Sequence, residues 1–437
     1  MQRRVVVTGV GCVTPLGADI DRIWQRLTEG HSGVGRLTLF DASNFPVRIA
    51  AEVRDWDISD VGLDPVRWQH HPRQTVFAVA SAIKAYRSAG LDDACIDPLR
   101  MGVYLGCGET YQNFFRFAEL VTQSMDGDEF HRDWFTSQAL RVWRPEEEQE
   151  LELNMPACHL AGIFNAQGPN ANCVAACASS SQAIGQATEI IRRGQADVMI
   201  AGGAHSMIHP FGLTGFQRLS ALSTHNDDPQ RAVRPFDRQR DGFVIGEGGA
   251  IVILEELDHA RRRGAEIWGE MTGFGSSQDA YRVTDAHPEG RGAASAIERA
   301  LRDATLTPED IDYINAHGTS TVINDKVETL AIKRVFGPQA YRVPISSSKS
   351  MLGHFTTAGG AVELVVCLLA LRSGIVPPTV NYETPDPDCD LDYVPNTARE
   401  ISCRHALSNS FGFGGQNAAL VVSRYDATLP STLRRAA

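Results

Sequence analysis

The run NCVAACASSSQAIGQA (172–187) wedges Cys177 between alanines and three serines, at the mouth of a stretch with helical spacing. A structural cysteine behaves as a small hydrophobe and needs no such clearing, whereas a nucleophilic one must be reachable and must attack as a thiolate. From Ser180 onward, Ala183, Ile184, Ala187, Ile190 and Ile191 recur at helical intervals, and Arg192, Arg193 and Gly194 supply a C-terminus. Cys177 therefore falls at or just before a helix N-terminus, where unsatisfied N–H groups and the helix dipole favour a thiolate. Its small neighbours leave room for an incoming thioester. Taken alone, the pattern fits a buried inert cysteine about as well as a nucleophile.

Three further segments carry groups with chemical potential. NAHGTST (315–321) follows the strand-like DIDYI, so His317 should emerge at a strand end, where α/β sheets place ligands. SSSKSMLGH (346–354) sets Lys349 and His354 five residues apart beside a glycine. SNSFGFGG (408–415) reads as a glycine-rich loop able to approach a ligand closely. Each segment has an ordinary alternative: a satisfied histidine, a solvated lysine, a plain turn.

The elements that must position these groups alternate. VVV (5–7), GVYLG (102–106), DVMIAGG (197–203), AIVILEE (250–256), DIDYINA (310–316) and NAALVVS (417–423) read as strands, and Thr75–Ala89, Ser180–Arg193, Ala293–Asp303 and Lys326–Phe336 as helices. This alternation predicts an α/β fold with helices covering sheets. No linker rich in Pro, Gly or Ser divides the chain, and no strict short repeat is visible. The charge run RPEEEQELE (144–152) reads as a solvated helix or loop. TGVGCVTPLG near the N-terminus does not fit the G-x-G-x-x-G spacing of a dinucleotide site, and the glycines of 412–415 lack the lysine of a phosphate loop, so no nucleotide is inferred.

The totals narrow the partners. With 437 residues, 43% of them hydrophobic and 22% charged, the chain can bury a substantial core and is not disordered. A net charge of −12 argues against nucleic acid or an anionic membrane as a general partner. Nine cysteines without a CxxC pair point to a reduced cytoplasmic setting, and no metal is expected. MQRRVVVTGVG lacks the apolar core of a signal peptide, and AVELVVCLLAL (361–371) is short for a bilayer span and contains Glu363.

Together the four segments around Cys177, His317, Lys349 with His354, and Phe413 closely resemble the β-ketoacyl synthases of the thiolase superfamily, the condensing enzymes that act on acyl carrier protein. The resemblance runs from VVVTGVGCVTPLG through RPFDRQRDGFVIGEGGAIVILEE to NSFGFGGQNAAL. It implies a thiolase-like fold, two similar βαβ halves (1–256 and 257–437) layered as αβαβα. It further implies that Cys177 forms an acyl-enzyme, and that His317 and His354, as neutral N–H donors, stabilise the enolate left when a malonyl thioester loses carbon dioxide. The backbone N–H groups of Cys177 and Phe413 would form a second oxyanion hole, with Phe413 and Phe411 in the glycine-rich loop and Phe413 as a gate. Lys349 and Glu328, with Asp325 nearby, would orient the histidines, and Thr319 and Thr321 would bind the phosphopantetheine arm. No cofactor of the enzyme's own is implied, because the carrier brings that arm.

The chain also departs from the fatty-acid enzymes. Glu109 in GCGE stands where an apolar residue usually lines the acyl pocket. It would suit a shorter or more polar chain, or else turn to solvent or a salt bridge. The stretch from Glu109 to Ala157, with Trp134 and Trp143, is longer than usual and would border the acyl pocket and the dimer interface. Gln416 replaces the commonest Thr, and INDKVET (323–329) is similar to ketosynthase-α subunits of aromatic or polyene polyketide systems. These features favour a specialised polyketide or fatty-acid pathway over housekeeping elongation. With no room for further domains, a stand-alone component is expected, as a homodimer or paired with a chain-length-factor-like subunit. Arg67, Arg73, Arg218, Arg238 and Arg240 are candidates for docking an acidic carrier protein. A chain-length factor itself would lack Cys177, and a thiolase would carry a second cysteine where the phenylalanines of NSFGFGG stand.

Overall fold

A computed structural model describes residues 2–110, 113–428 and 432–433. Its centre is a ten-stranded sheet. Across it the order is Ile345–Ser346, Tyr313–Asn315, His405–Gly412, Gln416–Ser423, Gly269–Gln278, Val5–Val13, Gly248–Glu256, Val198–His205, Met101–Leu105 and Asn170–Asn172. Two strands the sequence reading missed, Gly269–Gln278 and His405–Gly412, lie inside it. The segment read as a glycine-rich loop, 408–415, is thus a strand end and a three-residue turn at Phe413–Gly415, directly before the next strand.

The sheet is one pattern used twice. In each half the second strand in chain order pairs in parallel with the third and the fourth. The fourth, fifth and first then follow in antiparallel order. The halves meet through two residue pairs, Gly269 with Val7 and Glu270 with Val6. Each half's first strand carries the same signature, TGVG at 8–11 and TGFG at 272–275.

The reason is close packing. A Cβ at Gly9 or Gly11 would come within 2.2 and 2.1 Å of the Ala85 and Ser81 carbonyls in the helix Arg73–Ser88. At Gly273 and Gly275 it would come within 2.3 and 2.1 Å of the Ala300 and Ala296 carbonyls in the helix Arg291–Ala304. Only glycine lets a helix lie that near a strand. The apparent dinucleotide fingerprint is this contact, and it is the repeat that the sequence reading did not find.

Those two helices cover the outer faces of the half-sheets. Between the halves lie Ser179–Arg192 and Gly359–Ser373, each in contact with strands of both. The layering is therefore αβαβα. Every residue from Gly359 to Leu371 is buried, as a helix enclosed on all sides requires. Counted with the preceding turn, Thr356–Ser373 is long and apolar enough to cross a membrane, with a mean hydropathy of 1.4, but 89% of it is buried inside the protein. It is the core helix, not a span.

The three serines after Cys177 belong to this central contact. Ser179, Ser180 and Ser181 are fully buried. Ser180 Oγ accepts the Ala361 N–H at 3.0 Å, and Ser181 Oγ lies 2.8 Å from Ser410 Oγ. Their small size brings the two inner helices together. It does not clear a path for substrate, as the sequence had suggested.

Candidate active site

Cys177 sits on the turn that leads into the helix Ser179–Arg192, as its place in the sequence predicts. Ala176 before it adopts a left-handed conformation, φ +46°, uncommon for a residue with a Cβ. Ser179 clamps this turn: its Oγ accepts the Ala175 N–H at 2.7 Å and donates to the Ala176 carbonyl at 2.7 Å. Gly412, at the end of its strand, presses on the same turn; a Cβ there would stand 2.9 Å from both the Ala175 carbonyl and the Cys177 nitrogen. The approach brings the Phe413 N–H, with that of Cys177, onto the sulfur.

The sulfur is not a resting thiolate. Burial pushes the Cys177 thiol up to about 11, against the opposing pull of the Lys349 charge and the Phe413 and Cys177 N–H groups. The sequence reading weighed the helix terminus without the desolvation that accompanies it. Desolvation wins.

Both histidines face this sulfur's cavity. His354 Nε2 lies 3.0 Å from Cys177 Sγ, and the Thr356 N–H donates to His354 Nδ1 at 3.3 Å. The Lys349 ammonium stands 3.3 Å from His317 Nδ1. With Nδ1 accepting on both rings, the proton is assigned to Nε2 on both. The rings sit 5.4 Å apart and nearly perpendicular. Burial, and next the Lys349 charge, hold both imidazoles well below their ordinary value, so they are neutral N–H donors.

Lys349 is positioned by Glu363, with which it forms a buried ion pair. The sequence analysis noted Glu363 only as a charge in an apolar run. A carboxylate in a helix enclosed on every side needs a partner, and that was the available signal. Burial lifts Glu363 to about 7.

Glu328 and Asp325 act elsewhere than expected. Glu328 accepts the N–H groups of His317 and Gly318 at 2.8 and 2.7 Å and the Asn409 amide at 3.1 Å. Asp325 accepts the N–H groups of Phe236 and Ser320 at 2.8 and 3.2 Å. They hold the backbone of the NAHGTST loop and do not touch the imidazoles. Burial raises both, Glu328 to about 7.

Thr319 and Thr321, with Oγ1 atoms 2.9 Å apart, line the same cavity of about 240 Å3, together with Phe411 and Phe413. Glu109 does not. Its side chain is 56% exposed and lies 3.9 Å from His205, so of the two readings it takes the outward one.

Two of the five arginine candidates are structural. Arg73 donates to the buried Glu247 from Nε at 2.9 Å, and Arg240 is buried against Asp386 and Asp325. Arg67, Arg218 and Arg238 are exposed, and Arg218 ends the helix whose following residues, Leu219 and Ser220, border the cavity. The acidic run is not wholly solvated either, because Glu147 pairs with Arg116 and Glu150 is buried.

The beta-ketoacyl synthase N-terminal domain family matches residues 2–260, and its C-terminal domain family matches residues 268–383. The chain belongs to the β-ketoacyl synthase family. This β-ketoacyl synthase is 44% identical over 423 residues to the 3-oxoacyl-[acyl-carrier-protein] synthase 2 of Coxiella burnetii, covering 97% of this chain and 99% of the relative. It is 42% identical over 431 residues to the tetracenomycin polyketide synthase ketoacyl synthase alpha subunit of Streptomyces glaucescens, covering 97% of each. Among solved structures it resembles, with a TM-score of 0.87 and 35% identity, a chain of a type II polyketide synthase acyl-carrier protein in complex with its ketosynthase bound to the hexaketide. That match covers 98% of this synthase and 100% of the solved chain. This synthase is a condensing acyltransferase, of fatty-acid or polyketide type.

Proposed function

We propose that this synthase joins an acyl group, held on Cys177, to a malonyl unit carried by an acyl carrier protein. The observation that carries the residue roles is the pair of capped imidazoles: both Nδ1 atoms accept, so both Nε2–H groups are left for the cavity that contains the sulfur.

In the first half-reaction the Cys177 sulfur attacks the acyl thioester carbon and gives up its proton, and the carrier thiolate leaves and is protonated. The N–H groups of Cys177 and Phe413 support the oxyanion of that tetrahedral carbon. Because the resting thiol is neutral, the sulfur ionises as it attacks, with the His354 N–H ready to receive the negative charge.

In the second half-reaction the malonyl C–C bond to its carboxylate breaks and carbon dioxide leaves. The electron pair becomes an enolate whose oxygen accepts from His317 and His354. The enolate carbon then attacks the acyl carbon, the Cys177–acyl bond breaks, and the thiolate recovers a proton from solvent. Donors already aimed at a developing charge, in a site with little water, need no reorganisation as it forms. Thr319 and Thr321 bind the phosphopantetheine arm, which the carrier supplies, so the synthase holds no cofactor of its own. Arg218 and Arg238 offer the carrier positive charge.

We further propose a dimer with a second copy or with a chain-length-factor-like subunit. Ile163, on the helix Met155–Phe164 packed against the edge strand Asn170–Asn172, and Val174, just after that strand, are exposed and offer apolar surface there.

Intact-mass analysis with a panel of acyl-carrier thioesters tests the chemistry. The expected adduct forms on the unmodified chain, is absent from Cys177→Ala, and turns over with malonyl but not acetyl thioester. Equal turnover with both, or an adduct that survives Cys177→Ala, overturns the proposal.

A further inference from the structure

Far from Cys177 in sequence pattern and unused by its chemistry, three segments bring His71, Glu150 and His159 together. His71 lies in the turn between the helices Pro65–Trp68 and Arg73–Ser88, Glu150 caps the helix Pro145–Gln149, and His159 projects from the helix Met155–Phe164. Their donor atoms all lie within 4.8 Å of one another. Glu150 Oε1 stands 2.7 Å from His159 Nε2 and 3.8 Å from His71 Nε2.

We propose that these three side chains bind one divalent transition-metal ion, zinc by donor chemistry, which clips the 109–157 segment to the body of the fold. Two imidazoles and a carboxylate are a recurrent zinc donor set, with water in the fourth position. Ligand bonds of about 2.1 Å in a tetrahedron place donors roughly 3.4 Å apart, a value between the two distances to Glu150. An ion needs only to lengthen one contact and shorten the other.

The hydrogen-bond accounting points the same way. Glu150 is 6% exposed, and its Oε2 is buried with no hydrogen-bond partner among the described residues. His71 Nε2 is too far from Glu150 for a hydrogen bond. A purely structural triad would satisfy these atoms. The Trp68 ring walls one side, 4.5 Å from His71 and 5.5 Å from His159, while both histidines keep 23% of their side-chain surface exposed for the ion to enter. Binding moves the His159 ring proton from Nε2 to Nδ1, which leaves the Nε2 lone pair for the ion.

Cys177, His317 and His354 form the other cluster of metal-binding donors among the described residues, so the test uses the full chain carrying Cys177→Ala. After chelator treatment it is titrated with zinc chloride by calorimetry, and with cobalt(II) by absorption. One zinc per chain is expected, with an intense visible cobalt spectrum of a tetrahedral site and no thiolate charge-transfer band. Adding Glu150→Gln or His159→Ala should lower the affinity at least a hundredfold and abolish the cobalt band, with unchanged circular dichroism. Zinc uptake that survives both added substitutions overturns the site. So does failure to bind, or a weak octahedral cobalt spectrum in the starting chain, which decides the matter even where a variant does not fold.

Discussion

Replacing Gly412 with alanine tests the roles proposed for Cys177 and the Phe413 N–H without touching a reacting group. Gly412 has an ordinary φ of −107°, so the substitution introduces no backbone strain. Its Cβ would instead stand 2.9 Å from the Ala175 carbonyl and the Cys177 nitrogen and 3.2 Å from Ala176 Cβ. Non-bonded contacts settle near roughly 3.5 Å, so the strand end or the turn must give by about half an ångström.

Overpacking of this kind costs about 1–3 kcal/mol of stability. The same movement draws the Phe413 N–H away from the sulfur. A 1 Å misplacement costs on the order of a hundredfold, and outright loss of one oxyanion donor about 10²–10³-fold. Half that displacement should slow acylation of Cys177 by about ten- to a hundredfold.

The assay is the rate of acyl adduct formation by quenched intact-mass analysis at saturating thioester, alongside urea unfolding. Gly414→Ala, two residues on, is the control. Gly414 has φ +78° and nothing within 4 Å of an added Cβ, so alanine there costs about 1 kcal/mol through conformation alone. Its acylation rate should stay within about twofold of the parent. Equal acylation by the parent and Gly412→Ala would refute the reasoning, as would equal losses in the two variants.

Two other outcomes follow from the site. Because burial raises the Cys177 thiol to about 11, its thiolate fraction grows with pH throughout the ordinary range; inactivation by iodoacetamide should climb about tenfold per pH unit from pH 7 to 10, and a plateau below pH 9 would contradict this. Lys349→Met leaves Glu363 buried without its cation and should cost about 3–5 kcal/mol in urea unfolding. Adding Glu363→Leu should restore most of that stability but not the condensation rate, since His317 Nδ1 still lacks its donor; a double variant that recovers the rate would remove Lys349 from the tautomer argument.

Much of this protein is legible in the chain itself. Side-chain periodicity locates the helix after Cys177 to within a residue, and the alternation of apolar runs with helical patterns specifies an α/β fold. Cys177, both histidines and Lys349 are singled out by residue type and neighbours, and the resemblance to the β-ketoacyl synthases gives them their expected roles. The internal repeat of TGVG and TGFG went unread in the sequence, because four residues stand out only once two helices are seen packed onto two strands at those glycines.

What the tertiary structure alone decides is environment. The protonation of Cys177 is a balance between a helix terminus and desolvation, and desolvation depends on everything folded around the sulfur. The pairing of Lys349 with Glu363, the turning of Glu328 and Asp325 toward backbone N–H groups, and the outward course of Glu109 likewise depend on elements distant in sequence. A residue's type sets what a group can do. Its charge state and its partner are set by which segments, hundreds of residues away, close over it.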